Sequence, residues 1–224
     1  MRTMTVPDSI AIDGPVAAGK TTVGRALALR LGYAFVDTGL MYRAVAYLAL
    51  ERGVPLTDHT ALGVLAEGTY LTVVSAIDDG LDSVFAEGKD ITSQLRTPEV
   101  EGIVSAVAAI PGVRSAMVAQ QQRMAASGHV VMVGRDIGTN VLPGATKVYL
   151  QASPGVRTAR RLAEAQAKGA AVTADAVREN LELRDRLDSA RAANPLRVAG
   201  DAIVIDTDGL DVAGVVDRIT ELTS

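Results

Sequence analysis

Residues 14–21 read Gly14-Pro15-Val16-Ala17-Ala18-Gly19-Lys20-Thr21, which matches the pattern G-x-x-x-x-G-K-[ST] of phosphate-binding loops at every position. A short apolar run from Ser9 to Asp13 precedes the loop and is typical of a buried strand. The residues from Lys20 to Leu31 carry the apolar spacing of a helix, and Gly32 is placed to end it. The order of strand, glycine loop and helix is the context in which this motif binds phosphate.

The groups that this loop presents are suited to binding an anion. Backbone N–H groups of the loop and the positive end of the following helix form a phosphate site. Lys20 supplies a positive charge to the β- and γ-phosphates, and the Thr21 hydroxyl can ligate Mg²⁺. We therefore predict that ATP or GTP binds the residues of the loop and the first helical turn: Gly14, Pro15, Val16, Ala17, Ala18, Gly19, Lys20, Thr21 and Thr22.

The composition limits the size of the domain, the partners and the cellular compartment that we expect. The 224 residues suffice for one large domain with a buried core or for a domain with an insertion. A net charge of −4 gives no electrostatic case for nucleic acid as a partner. With no cysteine, no apolar run long enough to span a bilayer and no signal-peptide pattern, we expect a cytoplasmic protein without a membrane partner. His59 and His129 do not suggest a metal site.

The segment after the first helix is predicted to continue the α/β pattern and then to form an antiparallel meander. Tyr33–Val36 predicts a second strand, and a helix is predicted from Asp37-Thr38-Gly39 to about Arg52, with Thr38 as its cap or as a ligand-binding residue. Another helix is predicted over Thr60–Glu67. Three short strands then predict an antiparallel meander inserted into the α/β core as a substrate lobe, over Tyr70–Ser75, Ser83–Ala86 and Asp90–Thr92, with turns at Asp78–Gly80 and Gly88.

Two helices follow, one beginning at Thr97-Pro98 and the other running from Pro111 to about Ser127. Ser105 and Arg114 are the polar exceptions in them, and a solvated serine with a surface arginine is the simplest interpretation. The strand His129–Val133 then runs directly into a polar segment.

Arg135 and Asp136 follow that strand immediately. Because ligands bind beyond the carboxyl ends of parallel strands, we expect both side chains in the cleft beside the phosphate loop. A structural salt bridge is the alternative.

The last third of the chain is rich in arginine. After a strand at Lys147–Leu150, a helix starting at Ser153-Pro154 carries Arg157, Arg160 and Arg161 and is followed by Lys168; these cations form either a lid over phosphates or a solvated surface. A helix over Ala174–Ala193 places Arg184, Asp188 and Arg191 on one face, as an ion-pair ladder or as the lining of an anionic substrate site. The strand Asp201–Asp206 and the helix Val212–Leu222 close the chain.

Five core strands that alternate with helices predict an α/β fold with a mostly parallel, five-stranded sheet flanked by helices. The sequence resembles the bacterial cytidylate kinase (CMP kinase) family across essentially its whole length. The resemblance rests on the phosphate loop, Asp37-Thr38-Gly39 with Met41-Tyr42-Arg43, the meander, Gly134 to Thr139, and the helix from Arg184 to Arg191.

Membership of that family would imply a single P-loop kinase domain over 1–224. The region binding the acceptor nucleoside monophosphate would span 38–128, including the meander at about 69–95, and a helical lid would span 157–184. The implied reaction is ATP-dependent, Mg²⁺-assisted phosphorylation of CMP and dCMP by a monomeric enzyme. Both reactants are polyanions, so such a reaction depends on alignment and on cancellation of charge.

The resemblance also implies roles for individual residues. Thr38, Ser105, Arg114 and Asp136 would surround the cytosine ring, while Arg43, Arg135 and Arg191 would hold the acceptor phosphate. Arg184 and Asp188 would approach the ribose. The residues acting on the transferring phosphoryl group would be Lys20, Arg135, Arg157, Arg160, Arg161 and Arg191.

One position departs from the family pattern. The family usually carries an acidic residue before Gly-Arg-Asp, and this chain has Val133. If that carboxylate orients Mg²⁺-bound water, Asp13 or Asp37 would have to replace it.

Two other functions are alternatives to this interpretation. Another small P-loop kinase, for adenylate, uridylate or shikimate, is disfavoured by the meander and by the Arg-Asp-x-x-Asp-x-x-Arg helix. A GTPase-like switch would use Asp206-Thr207-Asp208-Gly209 as a D-x-x-G motif, but no asparagine begins an N-K-x-D motif.

Overall fold

The computed structural model describes residues 8–76, 82–167 and 169–223. The predicted turn at Asp78–Gly80 and the lid residue Lys168 lie outside these ranges. The strands are β1 (Ser9–Asp13), β2 (Ala34–Asp37), β3 (Leu71–Val74), β4 (Ser83–Ala86), β5 (Lys89–Asp90), β6 (Val130–Val133), β7 (Thr146–Gln151) and β8 (Ile203–Asp206). The α-helices are α1 (Lys20–Leu31), α2 (Thr38–Glu51), α3 (His59–Gly68), α4 (Pro98–Val107), α5 (Pro111–Met124), α6 (Pro154–Ala167), α7 (Ala174–Ser189) and α8 (Val212–Thr223).

Five of the described strands form one sheet in the order β2-β6-β1-β7-β8. Every pairing in this sheet is parallel, and β1 lies at its centre between β6 and β7. Parallel strands place their carboxyl ends at one edge, where α/β proteins bind ligands. The predicted α/β fold with a five-stranded parallel sheet flanked by helices is confirmed.

The connection from β1 to α1 depends on glycine. Gly14 has φ of 151°, and a Cβ atom built there would lie 2.2 Å from the carbonyl oxygen of Leu150. Gly19 adopts φ of 91° as the residue preceding α1. These two positions let the loop turn tightly over the sheet, and Gly32 ends α1 in a left-handed conformation as predicted.

A second apolar core lies beside the sheet. Buried residues of α2, α3, α4 and α5 pack together with the three-stranded antiparallel sheet β3-β4-β5. The predicted meander is therefore confirmed. An ion pair of 2.8 Å between Arg25 of α1 and the buried Asp82 connects the meander to the helix that follows the glycine-rich loop.

Several boundaries differ from the sequence-based prediction for physical reasons. His129 adopts φ of 51°, a left-handed conformation, so β6 begins one residue later than predicted. The third strand of the meander ends at Asp90, whose carboxylate accepts a hydrogen bond from the backbone N–H of Thr92 at 2.9 Å and starts a 3₁₀ turn over Thr92–Arg96. β2 and β8 begin at Ala34 and Ile203.

Two corrections concern residues of the predicted site. Asp37 caps α2 by accepting a hydrogen bond from the N–H of Gly39 at 2.9 Å, so the prediction that Thr38 caps this helix is wrong. Thr38 Oγ1 instead donates to the carbonyl oxygen of Val133 at 2.9 Å. α7 ends at Ser189 rather than Ala193, and Arg191 therefore follows the helix instead of lying on its face.

Within 8–76, 82–167 and 169–223, no individual helix has both the length and the apolar composition of a membrane span. Only α4 and α5 taken together, with a bend of 97° between them, meet that test.

Candidate functional site

A cleft of about 340 Å³ opens at the carboxyl ends of β1, β2 and β6. Its walls come from the phosphate loop, the first turns of α1 and α2, the inner face of α4, the segment after β6, and the ends of α6 and α7. Its cationic lining consists of Lys20, Arg43, Arg96, Arg114, Arg135, Arg161, Arg184 and Arg191. A cleft with so many cations suits ligands that carry several negative charges.

The phosphate loop forms one end of the cleft. Val16, Ala17, Gly19, Lys20, Thr21 and Thr22 line it, whereas the neighbouring Gly14, Pro15 and Ala18 are not among the lining residues. Lys20 Nζ donates to the carbonyl oxygen of Pro15 at 2.6 Å. Among the described residues, no carboxylate oxygen lies within 4 Å of this ammonium group.

Lys20 is buried, and burial together with the nearby charge of Arg135 lowers the pKa of its ammonium group well below the usual value. An anion bound against the loop would oppose both effects. A bound phosphate would therefore stabilise the charged form of Lys20.

Two carboxylates lie near the loop in different environments. Asp37 Oδ2 accepts a hydrogen bond from Thr21 Oγ1 at 2.8 Å, and both residues line the cleft. Asp13 is buried and accepts from the backbone N–H groups of Ile137 and Gly138 at 2.9 and 2.8 Å. Burial raises the pKa of Asp13 to about 6 even though these two hydrogen bonds favour the charged form. Asp13 therefore holds the backbone after β6, and Asp37 is the carboxylate that faces the cleft.

Arg114 and Asp136, which also line the cleft, form a buried ion pair with 2.5 Å between Nη2 and Oδ2. Arg114 is 1% exposed and also donates to the carbonyl oxygen of Ala108 at 3.1 Å, so the surface-arginine interpretation is wrong. Its guanidinium group lies 5.3 Å from the ring centre of Tyr42. Ser105 of α4 lines the same part of the cleft and is half-buried. The structure thus brings a donor, an acceptor and a hydroxyl together here.

Arg135 and Arg191 share one carboxylate in the cleft lining. Arg135 Nε donates to Asp188 Oδ2 at 2.8 Å, and Arg191 Nη2 donates to Asp188 Oδ1. Burial alone would raise the pKa of Asp188, but the two arginines hold it below its usual value. Of the Arg184–Asp188–Arg191 ladder predicted for this region, the described residues form only the Asp188–Arg191 pair, because Arg184 pairs with Glu101 instead. All three side chains line the cleft.

A second carboxylate, Glu101, forms ion pairs with three arginines that lie far apart in the sequence. It pairs with Arg43 at 2.9 Å, with Arg184 at 3.2 Å and with Arg161 at 3.8 Å. Sequence reasoning missed Glu101, although its place four residues before Ser105 puts both on the same face of α4.

Arg96 was also missed. It lines the cleft from the 3₁₀ turn after the meander, where no motif or periodicity marks it.

The three arginines predicted to form a lid have different surroundings. Arg157 is buried, pairs with Asp185 at 2.6 Å and donates to the carbonyl oxygen of Val16 at 3.2 Å. Arg160 donates to the hydroxyl and the carbonyl oxygen of Thr207, both at 2.9 Å. Of the three, Arg161 alone is among the described residues that line the cleft. Their action on a phosphoryl group stays a prediction.

Val133, which departs from the family pattern, is buried in the apolar cluster between the sheet and α1 and also borders the cleft. Among the described residues, no group of three or more histidine, cysteine, aspartate or glutamate side chains is arranged to hold a metal ion.

The sequence is similar to a family of proteins over nearly its full length. A family model described as cytidylate kinase matches residues 10–224. The cytidylate kinase of Geobacillus sp. (strain WCH70) is 47% identical over 216 residues, which cover 96% of each chain. That of Bacillus subtilis (strain 168) is 45% identical over 214 residues and 95% of each chain.

Other similar proteins include longer chains. A bifunctional pantoate ligase/cytidylate kinase of Synechococcus sp. (strain JA-3-3Ab) is 48% identical over 215 residues. The match covers 95% of this chain, which spans 40% of the length of that relative. Among solved structures, a protein from Eubacterium ventriosum has a TM-score of 0.52 at 14% identity, covering 96% of this chain and 97% of its own. That likeness concerns the fold alone.

Proposed function

Because the chain belongs to the cytidylate kinase family, we propose that it transfers the γ-phosphoryl group of ATP to CMP, giving CDP and ADP. The observation that carries this proposal is a single cleft that is lined both by the phosphate loop and by the buried Arg114–Asp136 pair. Several further arginines line the same cleft. We extend the proposal to dCMP as a second acceptor.

The base is proposed to bind at Thr38, Ser105, Arg114 and Asp136. The edge of cytosine carries an amino group, which can donate a hydrogen bond to a carboxylate such as that of Asp136. The corresponding position of uracil is a carbonyl oxygen, which only accepts. Arg114 is held beside that carboxylate and would donate to the ring acceptors of cytosine. A fixed donor beside a fixed acceptor therefore favours cytosine over uracil.

The acceptor phosphate is proposed to bind Arg43, Arg135 and Arg191, with Arg184 and Asp188 near the ribose. All five residues line the same cleft as the phosphate loop. Guanidinium groups can hold a phosphate through two parallel hydrogen bonds, which fixes its orientation as well as its charge. This arrangement would direct an oxygen of the acceptor phosphate toward the γ-phosphorus of ATP.

The donor phosphates are proposed to lie against residues 14–22, with Lys20 at the β- and γ-phosphates. Phosphoryl transfer needs little covalent help from the protein, so positioning and charge stabilisation dominate. Lys20 and Arg135 would stabilise the charge of the transferring group together with Arg191 and, on closure, Arg157, Arg160 and Arg161. No side-chain nucleophile is required. Because the acceptor phosphate is already ionised near neutral pH, no strong general base is needed either.

The residues near the loop fit an Mg²⁺ ion. The ion prefers oxygen ligands and commonly keeps several waters while binding one or two carboxylates and the phosphates of a substrate. Thr21 and Asp37, whose oxygens lie 2.8 Å apart in the cleft, would hold it directly or through water. When bound, the ion would neutralise negative charge on the phosphates. We prefer Asp37 to Asp13, because Asp37 lines the cleft beside Thr21, whereas Asp13 is buried outside the cleft lining and holds the backbone after β6.

The organisation of the domain is part of the proposal. We propose that residues 38–128 form the acceptor-binding region and residues 157–184 a lid within a single kinase domain over 1–224. A monomeric state and a cytoplasmic location also remain predictions.

The test follows ADP formation from ATP and Mg²⁺ with CMP, dCMP, UMP, AMP and shikimate supplied separately, using Lys20→Ala as the blank. We expect turnover to be concentrated on CMP and dCMP. Turnover on AMP or shikimate would refute the proposed acceptor site while leaving the phosphate loop intact. Absence of turnover on all five acceptors would refute the kinase proposal.

A further inference from the structure

Glu101 is contacted by three guanidinium groups at once. Its Oε1 accepts a hydrogen bond from Arg43 Nε at 3.0 Å and lies 2.9 Å from Arg43 Nη2, and its Oε2 accepts from Arg184 Nη1 at 3.2 Å. Arg161 Nη2 lies 3.8 Å from Oε2. One negative charge therefore faces three positive charges.

These contacts join opposite sides of the cleft. Glu101 belongs to α4 and Arg43 to α2, on the side of the second apolar core, whereas Arg161 and Arg184 belong to α6 and α7. The Glu101 side chain is 23% exposed and that of Arg184 13%. Charges that are partly shielded from solvent are screened less by salt than surface pairs are, so this cluster contributes to the field inside the cleft.

The contacts with Glu101 occupy the face of Arg43 that would otherwise bind an anion. Nε donates to Glu101 Oε1, Nη2 lies 2.9 Å from the same oxygen, and Nη1 donates to the carbonyl oxygen of Gly39 at 3.2 Å. A guanidinium group binds phosphate best through two adjacent N–H donors. A phosphate arriving at Arg43 must therefore share these donors with Glu101 or displace it.

We propose that Glu101 is a positioning residue that acts as an internal anion. It holds Arg43 and Arg184 in the cleft while no acceptor is bound, and it competes with the acceptor phosphate for Arg43, thereby setting the affinity for the acceptor. This inference rests on the proposed function for the role of Arg43. The hydrogen bonds of Glu101 are to Arg43 and Arg184, whereas Arg161 lies 3.8 Å away, so we expect its main effect on acceptor binding rather than on the phosphoryl-transfer step.

Glu101→Gln removes the charge and nearly preserves the shape of the side chain. We expect its KM for CMP to fall about threefold with kcat within about twofold of wild type, because a competing charge has been removed from the acceptor site. Glu99→Gln is the matched control: it makes the same change of charge in the first turn of α4, at an exposed side chain outside the cleft lining. This control should keep the wild-type KM.

A binding measurement with inorganic phosphate separates this inference from the proposed function. Without Glu101, the three arginines repel one another in the free protein, so Glu101→Gln should have a lower Tm without phosphate and a larger rise of Tm with it than wild type. An unchanged or increased KM for CMP, or an unchanged response to phosphate, would overturn the inference. Wild type that fails to use CMP would refute the proposed function, while the phosphate titration would still test Glu101.

Discussion

Arg114 and Asp136 form an ion pair of 2.5 Å in which the side chains are 1% and 6% exposed. They come from α5 and from the segment after β6, so the pair joins the second apolar core to the sheet. Charge buried to this extent is stable only while both partners are present. The pair therefore has a structural role in addition to its proposed role in binding cytosine.

Arg114→Met should destabilise the protein by about 3 to 5 kcal/mol, because it leaves the Asp136 carboxylate buried without its partner. The double variant Arg114→Met with Asp136→Leu should lose less stability than this single variant, since no isolated charge remains. Urea denaturation of both variants measures the free energies of unfolding. A double variant that is less stable than Arg114→Met would contradict the expectation.

Asp136→Asn should reduce discrimination between CMP and UMP. An amide can donate to the carbonyl oxygen of uracil, whereas a carboxylate only accepts, and one well-placed contact of this kind contributes about 1 to 3 kcal/mol of discrimination. The ratio of kcat/KM for CMP and UMP should therefore fall about tenfold or more. Asp201→Asn, at an exposed carboxylate paired with Lys147, is the control and should leave the ratio unchanged. An unaltered ratio in Asp136→Asn would remove this residue from the base site.

The Asp13 carboxyl should titrate near pH 6, because burial raises its pKa to about 6 from 3.8. Between these values the folded protein keeps a proton that the unfolded chain has released. The contribution of Asp13 to the free energy of unfolding therefore decreases as pH rises from about 4 to about 6, and then stays constant. Carboxyl ¹³C chemical shifts, assigned with Asp13→Asn, measure the titration. A midpoint near 4 would show that the two backbone hydrogen bonds outweigh burial.

Lys20→Met should lower kcat about 10²- to 10³-fold, by analogy with the loss of other preorganised charges at a transition state. The substitution should not destabilise the fold through loss of charge, because burial already disfavours the ammonium group in the free protein. Lys89→Met, at an exposed lysine paired with Glu51, is the control with the same chemical change. A kcat within about threefold of wild type would exclude Lys20 from phosphoryl transfer.

Gly24→Ala should destabilise the contact between α1 and the sheet by about 1 to 3 kcal/mol through overpacking. A Cβ atom at Gly24 would lie 2.5 Å from Val133 Cγ1 and 2.9 Å from Phe35 Cε2. Adding Val133→Ala should recover part of the loss, which a double-mutant cycle measures. Gly102→Ala, at a helical glycine with open space around it, should cost nothing or stabilise slightly. Strict additivity in the cycle would show that the two positions do not contact each other.

The sequence by itself determined the features that depend on near neighbours. The phosphate loop, the strand before it and α1 follow from local spacing and glycine placement, and the predicted parallel sheet and meander are confirmed in the structure. The carboxyl-end rule correctly placed Arg135 and Asp136 in the cleft. The same rule would have found Asp37, which ends β2. The family assignment was likewise available from motifs spread along the chain, and it is confirmed.

Only the tertiary structure decided which charges meet. Arg114 looks like a surface residue in the sequence of its helix, yet long-range packing buries it against Asp136. Glu101 is separated from Arg43 by 58 residues and from Arg184 by 83, so no local pattern could connect them. An ion pair depends on three-dimensional distance and on burial, and both are set by the packing of helices that lie far apart in the chain.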